Sequence, residues 1–123
     1  YLAGTDLRLF VLSNKRGPVL RAEIEHLGWA SFFEKVVGST DAPQDKPSIA
    51  AVDYTLAGTD IETGANIWFI GDTSVDMECA YNIDATPILV DPSGEGARGF
   101  SEFPPCISVQ KCLDLKNILS RIL

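Results

Sequence analysis

The chain has 123 residues, of which 46% are hydrophobic and 22% charged, a balance typical of one globular domain. Its formal net charge is −7 and no basic patch stands out, so we expect neither nucleic acid nor a membrane surface as a partner. The longest apolar run is far shorter than a bilayer span, and the first residues do not form a signal-peptide pattern.

Short apolar strands alternate with amphipathic helices along the first half of the chain. The last helix of this half carries Ile49, Val52 and Leu56 on one face, which we expect to be its buried face. In chain order, the pattern predicts a strand at Leu7–Leu12 that ends at Ser13 and Asn14, a helix from Gly17 to Gly28, a short strand around Val36, a loop ending at Lys46, and a helix at Ser48–Leu56.

The second half continues the same alternation. Ile67–Ile70 is apolar on both faces, as a central parallel strand should be. The order predicts a three-layer, Rossmann-like α/β fold, in which helices cover both faces of a parallel sheet. After the Ile67–Ile70 strand, the pattern predicts a helix at Ser74–Tyr81, a strand at Pro87–Val90, a loop at Asp91–Pro105, a short strand at Cys106–Val109 and a last helix that includes Ile122.

The cysteines Cys79, Cys106 and Cys112 are odd in number and lack CxxC spacing, so the sequence favours neither a disulfide framework nor a zinc site. Each falls within an apolar pattern, so we expect all three to be buried and reduced, in a cytoplasmic protein. The excess of acidic residues has two interpretations: solubility, or carboxylates that hold a cation.

Ligands of parallel α/β sheets bind beyond the carboxyl ends of the strands, and several polar residues fall there. Ser13 and Asn14 end the first strand, where a hydroxyl and backbone amides can bind phosphate oxygens. Lys46 precedes a helix in a loop that should reach the same edge, where it could neutralise a phosphate. Each motif alone is also compatible with a turn, a helix cap or an exposed lysine.

Two carboxylates follow the best strand of the chain. Asp72 comes directly after Ile67–Ile70 and Gly71, and Asp76 follows one helical turn later on the same side of the helix. Mg²⁺ commonly takes one or two protein carboxylates together with water and phosphate, so this pair is a candidate magnesium site. The same spacing also fits a helix cap followed by an acid that the helix dipole favours.

Taken in order, these motifs resemble the second, third and fourth motifs of the haloacid dehalogenase-like hydrolase superfamily. The segments VLSNK, DKPSIAAV and WFIGDTSVDMECA are most similar to phosphoglycolate phosphatases and their sugar-phosphate relatives. The resemblance covers Leu7 to about Val90, and it identifies residues 1–123 as the C-terminal part of such a core domain.

The resemblance implies a magnesium-dependent phosphatase that hydrolyses a small phosphorylated metabolite through an aspartyl-phosphate. It implies that Ser13 and Asn14 bind the transferring phosphoryl group and that Lys46 stabilises its negative charge. It further implies that Asp72 ligates Mg²⁺, while Asp76 contributes to the metal site and orients a metal-bound water or Lys46.

One part of the family pattern has no counterpart here. The Asp-x-Asp motif that carries the nucleophile and the general acid/base is missing, as is the cap domain; Asp6 lies before a strand rather than after one. In the family, the nucleophile strand lies between the strands that correspond to Leu7–Leu12 and Ile67–Ile70. Because unpaired buried backbone groups are costly, we expect an upstream segment of the same protein to supply this strand.

Two alternatives stay open from the sequence. The first is a non-catalytic fragment or degenerate relative that binds magnesium, phosphate or a partner without turnover. The second is a receiver-like signalling domain with Asp72 as its phosphorylated residue. A receiver places its lysine after the phosphorylated aspartate, whereas Lys46 precedes Asp72, so the second alternative fits poorly.

Overall fold

The computed structural model describes residues 1–94 and 99–122. The chain forms two compact units, Tyr1–Glu62 and Thr63–Leu123, which we call the N-terminal unit and the C-terminal unit. None of the helices in the described part of the chain is both long enough and apolar enough to cross a membrane.

The N-terminal unit is built on a two-stranded parallel sheet, β1–β2, with Val11 opposite Val36 and Leu12 opposite Val37. Parallel strands need a crossover, and α1 supplies it. The elements are a 3₁₀ turn at Leu2–Gly4, β1 at Phe10–Arg16, α1 at Gly17–His26, a second 3₁₀ turn at Ala30–Phe32, β2 at Lys35–Ser39 and α2 at Ile49–Leu56.

The first strand differs from its predicted bounds of Leu7–Leu12. It begins at Phe10 and extends to Arg16, so Ser13 and Asn14 lie within it rather than beyond it. Its regular pairing with β2 nevertheless stops at Leu12, and the register is irregular from there to Arg16. The two polar residues therefore sit in the stretch of β1 where the ladder is interrupted.

The core of the N-terminal unit forms where the helices cover the sheet. Leu20 and Ile24 of α1 and Val37 of β2 are buried, as the helical periodicity predicts. The predicted apolar face of α2 is only partly buried: Val52 is buried, Leu56 is half-buried and Ile49 is 49% exposed, while Ala51 and Thr55 are the other buried residues of this helix. Ile49 is the first residue of the helix, so no preceding helical turn packs against its side chain.

The C-terminal unit contains a three-stranded parallel sheet in the order β3–β4–β5. The predicted strands and helices are all present, with ends shifted by one or two residues. Residues 95–98 of the predicted loop lie outside the described part of the chain. The elements are β3 at Trp68–Gly71, α3 at Ser74–Asn82, β4 at Thr86–Val90, β5 at Ile107–Val109 and α4 at Cys112–Ile122.

The two faces of this sheet pack against different helices. Ile88 of β4 packs with Leu115 of α4 and with Trp68 of β3 in one apolar cluster. Because side chains alternate along a strand, Leu89 points to the opposite face, where α3 contacts β3 and β4. Ile88 and Leu89 are both fully buried, as expected for a parallel strand covered on both sides.

The cysteine prediction holds for one residue of three. Cys79 on α3 is buried, but Cys106, just before β5, and Cys112, the first residue of α4, are exposed. Cys106 was predicted to begin the last strand, but β5 pairs only from Ile107 to Val109, and Cys112 lies in the first turn of α4. All three cysteines are thiols.

Parallel strands joined by helices confirm the predicted α/β class in both units. In the N-terminal unit β1 pairs with β2, and in the C-terminal unit β3 pairs with β4. Among residues 1–94 and 99–122, the second edge of β1 and the second edge of β3 have no strand partner. These are the two edges that the sequence analysis assigned to the missing family strand.

Candidate active site

Ser13 provides a hydroxyl in the irregular stretch of β1. Its Oγ accepts a hydrogen bond of 3.1 Å from the backbone N–H of Lys15, and the side chain is half-buried. A hydroxyl carries one donor and two acceptor lone pairs, so accepting from Lys15 leaves the O–H able to donate to a phosphate oxygen. The predicted role of Ser13 as a phosphate ligand is compatible with this geometry.

Asn14 and Lys46, which are 32 residues apart in sequence, are brought together in the N-terminal unit. The Asn14 Nδ2 donates to the backbone carbonyl of Lys46 at 3.2 Å, and the Asn14 Oδ1 accepts from the backbone N–H of Lys46 at 3.1 Å. The carboxamide thus joins the end of β1 to the loop that carries Lys46. This contact confirms that the Lys46 loop reaches the end of the strand.

The loop before α2 is fixed by further hydrogen bonds on either side of Lys46. The Asp45 carboxylate accepts from the Ser39 hydroxyl at 2.8 Å and from the Thr40 N–H at 3.1 Å. The Ser48 hydroxyl then caps α2 by accepting from the Ala50 N–H at 3.1 Å. Asp45 was not among the predicted site residues, because no spacing rule links it to residues five and six positions upstream.

Asp76 is a buried carboxylate in the first turn of α3, and 5% of the residue is exposed. Its Oδ2 accepts from the backbone N–H groups of Asp72 and Thr73, at 3.1 and 3.2 Å, and from the Thr73 hydroxyl at 3.0 Å. The Thr73 Oγ in turn accepts from the Asp76 N–H, which completes a capping box. Thr73, which the sequence analysis did not single out, is therefore the N-cap, and its Thr-x-x-Asp spacing was a readable signal.

Gly71 allows this arrangement at the end of β3. A Cβ atom at this position would overlap the Asp76 side chain, so the carboxylate fits against the strand end only because residue 71 lacks one. The side chain of Asp76 therefore holds the turn that contains Asp72. Asp72 itself is exposed, directly after the last residue of the strand.

The donor set of this turn fits a magnesium ion in part. An exposed carboxylate at a strand end is the kind of ligand that Mg²⁺ uses, usually one or two per site with water completing the shell. Asp72 meets this description, whereas one carboxylate oxygen of Asp76 is already committed to three donors. Across the described ranges, no cluster of three or more His, Cys, Asp or Glu side chains could hold a metal by itself.

The predicted site residues thus fall into two sets. Ser13, Asn14 and Lys46 lie in the N-terminal unit, and Asp72 and Asp76 lie in the C-terminal unit. Hydrogen bonds link Asn14 to Lys46 in the first set and Asp76 to the backbone of Asp72 in the second. The roles assigned to these residues in catalysis and metal binding stay predictions.

Solved structures of several hydrolases share this fold. A HAD-superfamily hydrolase from Ehrlichia chaffeensis is 27% identical with a TM-score of 0.79, and the match covers 95% of this chain and 51% of that one. YfnB, a candidate HAD hydrolase from Bacillus subtilis solved with bound magnesium, is 16% identical with a TM-score of 0.78, covering 93% and 48%. A HAD phosphatase from Thermococcus onnurineus is 18% identical with a TM-score of 0.77, covering 91% and 50%.

The chain therefore spans about half the length of these structures. The two that are below 25% identity show similarity of fold alone. A search of curated proteins found no match. The model of the haloacid dehalogenase-like hydrolases matches residues 1–90, which include all five predicted site residues. The chain belongs to the haloacid dehalogenase-like hydrolase family.

Proposed function

We propose that the protein carrying this chain is a magnesium-dependent phosphatase that acts on a small phosphorylated metabolite. The observation that carries the proposal is the turn at the end of β3, where buried Asp76 holds the backbone of an exposed Asp72. A solvent-accessible carboxylate on a backbone that is held in place suits a hard cation. Family membership alone does not select this reaction, because the family name covers haloacid dehalogenation as well.

The N-terminal unit would bind the phosphoryl group. The Ser13 hydroxyl can donate to a phosphoryl oxygen, and the Lys46 ammonium can neutralise the negative charge that phosphoryl transfer spreads over these oxygens. The Ser13 hydroxyl and the Lys46 ammonium are both hydrogen-bond donors, which a phosphoryl group with up to two negative charges requires. Electrostatic stabilisation of this kind supplies most of the catalysis in phosphoryl transfer.

The C-terminal unit would hold the metal. Asp72 would ligate Mg²⁺ directly, and Asp76 would keep Asp72 in place through the hydrogen bonds of the α3 cap. When bound, Mg²⁺ neutralises phosphate charge and orients the group for in-line attack. The solved relative with bound magnesium supports the choice of this ion.

The nucleophile would come from an upstream segment of the same protein, outside this chain. Its aspartate carboxylate would attack phosphorus and release the substrate alcohol, which takes up a proton. Water would then attack the aspartyl-phosphate, regenerate the carboxylate and release inorganic phosphate. Within residues 1–94 and 99–122, β1 and β3 each have one edge without a strand partner, which supports this part of the proposal.

The thiol state of the cysteines supports a cytoplasmic protein, because disulfides form mainly in oxidising compartments.

A non-catalytic relative that only binds magnesium or phosphate is the second candidate. The absence of an Asp-x-Asp motif from these 123 residues is the observation that favours it.

The test is the release of inorganic phosphate by the complete protein from a panel of small phosphomonoesters, with Mg²⁺ or with excess EDTA. We expect magnesium-dependent release. Asp72→Asn should remove most of it, by about 10²-fold or more, because an amide is a neutral and weaker ligand.

Asp84→Asn is the matched control. Asp84 is exposed after α3 and has a φ of 56°, a conformation that asparagine tolerates, so this variant should retain wild-type activity. Near-normal turnover by Asp72→Asn would contradict the metal assignment. Binding of Mg²⁺ and phosphate without turnover of any ester would favour the non-catalytic candidate.

A further inference from the structure

We infer that Asn14 is a positioning residue for Lys46 and does not bind the substrate phosphoryl group through its side chain. The inference rests on the proposed function and revises the role that the family resemblance gives to Asn14. It follows from the two hydrogen bonds between the Asn14 carboxamide and the backbone of Lys46, at 3.2 and 3.1 Å.

The chemistry of this contact requires asparagine. A carboxamide offers a donor and an acceptor side by side, and the Lys46 backbone presents a carbonyl and an N–H to match them. Aspartate would keep the acceptor but place a second anionic oxygen against the Lys46 carbonyl. The pairing uses the Oδ1 and one N–H of the Asn14 carboxamide, so a phosphoryl group, which offers only acceptors, could be bound by the one remaining N–H alone.

The position of Asn14 in the chain adds to the argument. Asn14 directly follows Ser13, whose hydroxyl is the proposed phosphate ligand. The Asn14 side chain therefore sets the distance between the backbone of Ser13 and the backbone of Lys46. Asp45, the residue before Lys46, is held in turn by hydrogen bonds from Ser39 and Thr40 to its carboxylate.

Fixing the backbone matters more for lysine than for most residues. Its charge lies at the end of a flexible four-carbon stem, so its mean position depends on where the stem begins. A displacement of about 1 Å at a reacting centre can cost about 10²-fold in rate. Loss of the Asn14 contact should therefore act on the rate of phosphoryl transfer and much less on substrate affinity.

The test is a double-mutant cycle on phosphate release by the complete protein, with Asn14→Ala, Lys46→Ala and the double variant. We expect Asn14→Ala to lower kcat about tenfold to a hundredfold, with KM within about threefold of wild type. In the Lys46→Ala background, the same substitution should change kcat by less than about threefold, because Asn14 acts through Lys46.

A direct phosphate contact predicts a different result. If the Asn14 side chain binds the phosphoryl group, Asn14→Ala would weaken inhibition by inorganic phosphate and would cost the same factor with or without Lys46. Such additivity would overturn the inference. Asn14→Asp, which places an anionic oxygen against the Lys46 carbonyl, should give a loss at least as large as Asn14→Ala.

Asn117→Ala is the matched control, since Asn117 is exposed on α4 in the other unit. It should leave kcat unchanged. Hydrogen exchange of the Lys46 amide separates the inference from the proposed function. Exchange should be faster in Asn14→Ala than in wild type even in a protein without phosphatase activity, and an unchanged rate would refute the contact itself.

Discussion

The two units of the chain are stabilised in different ways. In the N-terminal unit, charged side chains link segments that are distant in sequence: the Arg8 guanidinium binds Glu34 at 2.7 and 2.8 Å and Asp60 at 2.8 Å, and Arg21 binds Asp41 at 2.6 Å. Complete burial of large side chains is more common in the C-terminal unit. Among the described residues it holds four of the five largest fully buried side chains, Met77, Cys79, Ile88 and Leu89, and the N-terminal unit holds the fifth, Val37.

This difference extends to the candidate site residues in each unit. Asn14 and Lys46 are held by hydrogen bonds at an exposed strand end, whereas Asp76 is buried beneath the turn that it stabilises. Exposed ion pairs contribute little to stability, usually below about 1 kcal/mol, while buried apolar side chains contribute about 1.5–3 kcal/mol each. We therefore expect substitutions in the C-terminal core to cost more than substitutions of ionic links in the N-terminal unit.

The largest expected loss of stability comes from Leu115→Ala in α4. Leu115 is 6% exposed and packs against Ile88 and Val109, so its removal should lower the free energy of unfolding by about 2–5 kcal/mol. Leu113→Ala on the same helix is the control, because Leu113 is 53% exposed and the change in helix propensity is identical. Urea denaturation measures both, and equal losses would contradict the described core.

A smaller loss is expected from Gly38→Ala in the N-terminal unit. A Cβ at Gly38 would overlap the backbone of Gly17, where β2 passes the start of α1. Overpacking of this kind typically costs about 1–3 kcal/mol in the free energy of unfolding. Gly4→Ala should be nearly neutral, because a Cβ at Gly4 has no neighbour within 4 Å. A Gly38 variant as stable as the Gly4 variant would show that the two backbones are not in close contact.

The smallest effect is a change in the pH dependence of stability. Hydrogen bonds from Arg21, and then from the Gly38 N–H, lower the pKa of Asp41 below its ordinary value. Because the folded pKa is below the unfolded one, the ionised carboxylate stabilises the fold above about pH 4, and this contribution is lost as the pH falls through the folded pKa.

Asp41→Asn should therefore be less stable than wild type at neutral pH, and the difference should shrink towards acid pH. Asp53→Asn, an exposed site on α2, is the control. Thermal melts between neutral pH and about pH 3 give the comparison. A difference that stays constant over this range would mean that the Arg21–Asp41 pair does not titrate as described.

Much of the fold could be predicted because its signals are local. The apolar run before Gly71 and the periodicity of Leu20 and Ile24 each depend on residues within one element. The end of β1 could not be predicted in the same way, because it depends on where pairing with β2 becomes irregular. The exposure of Ile49 likewise depends on which parts of the chain cover α2.

In the candidate site, too, local contacts could be predicted from the sequence and contacts between distant residues could not. The proximity of Asp72 and Asp76 follows from their spacing on one helix start, and Thr73 could have been identified as the cap from its distance to Asp76. The pairing of Asn14 with the backbone of Lys46 could not, because it joins residues that only the fold brings together. The sequence motifs predicted which residues form the site, while the hydrogen bonds show which of them hold others in place.

The dependence of phosphate release on Mg²⁺ concentration tests the account most directly, because we assign phosphate binding to the N-terminal unit and metal binding to the C-terminal unit. It should be measured for the complete wild-type protein, Ser13→Ala and Asp72→Asn. We predict that Asp72→Asn raises the Mg²⁺ concentration for half-maximal rate roughly tenfold or more, while Ser13→Ala lowers the rate and leaves this concentration within about twofold. An unchanged Mg²⁺ requirement in Asp72→Asn, or an equal shift in Ser13→Ala, would contradict the assignment.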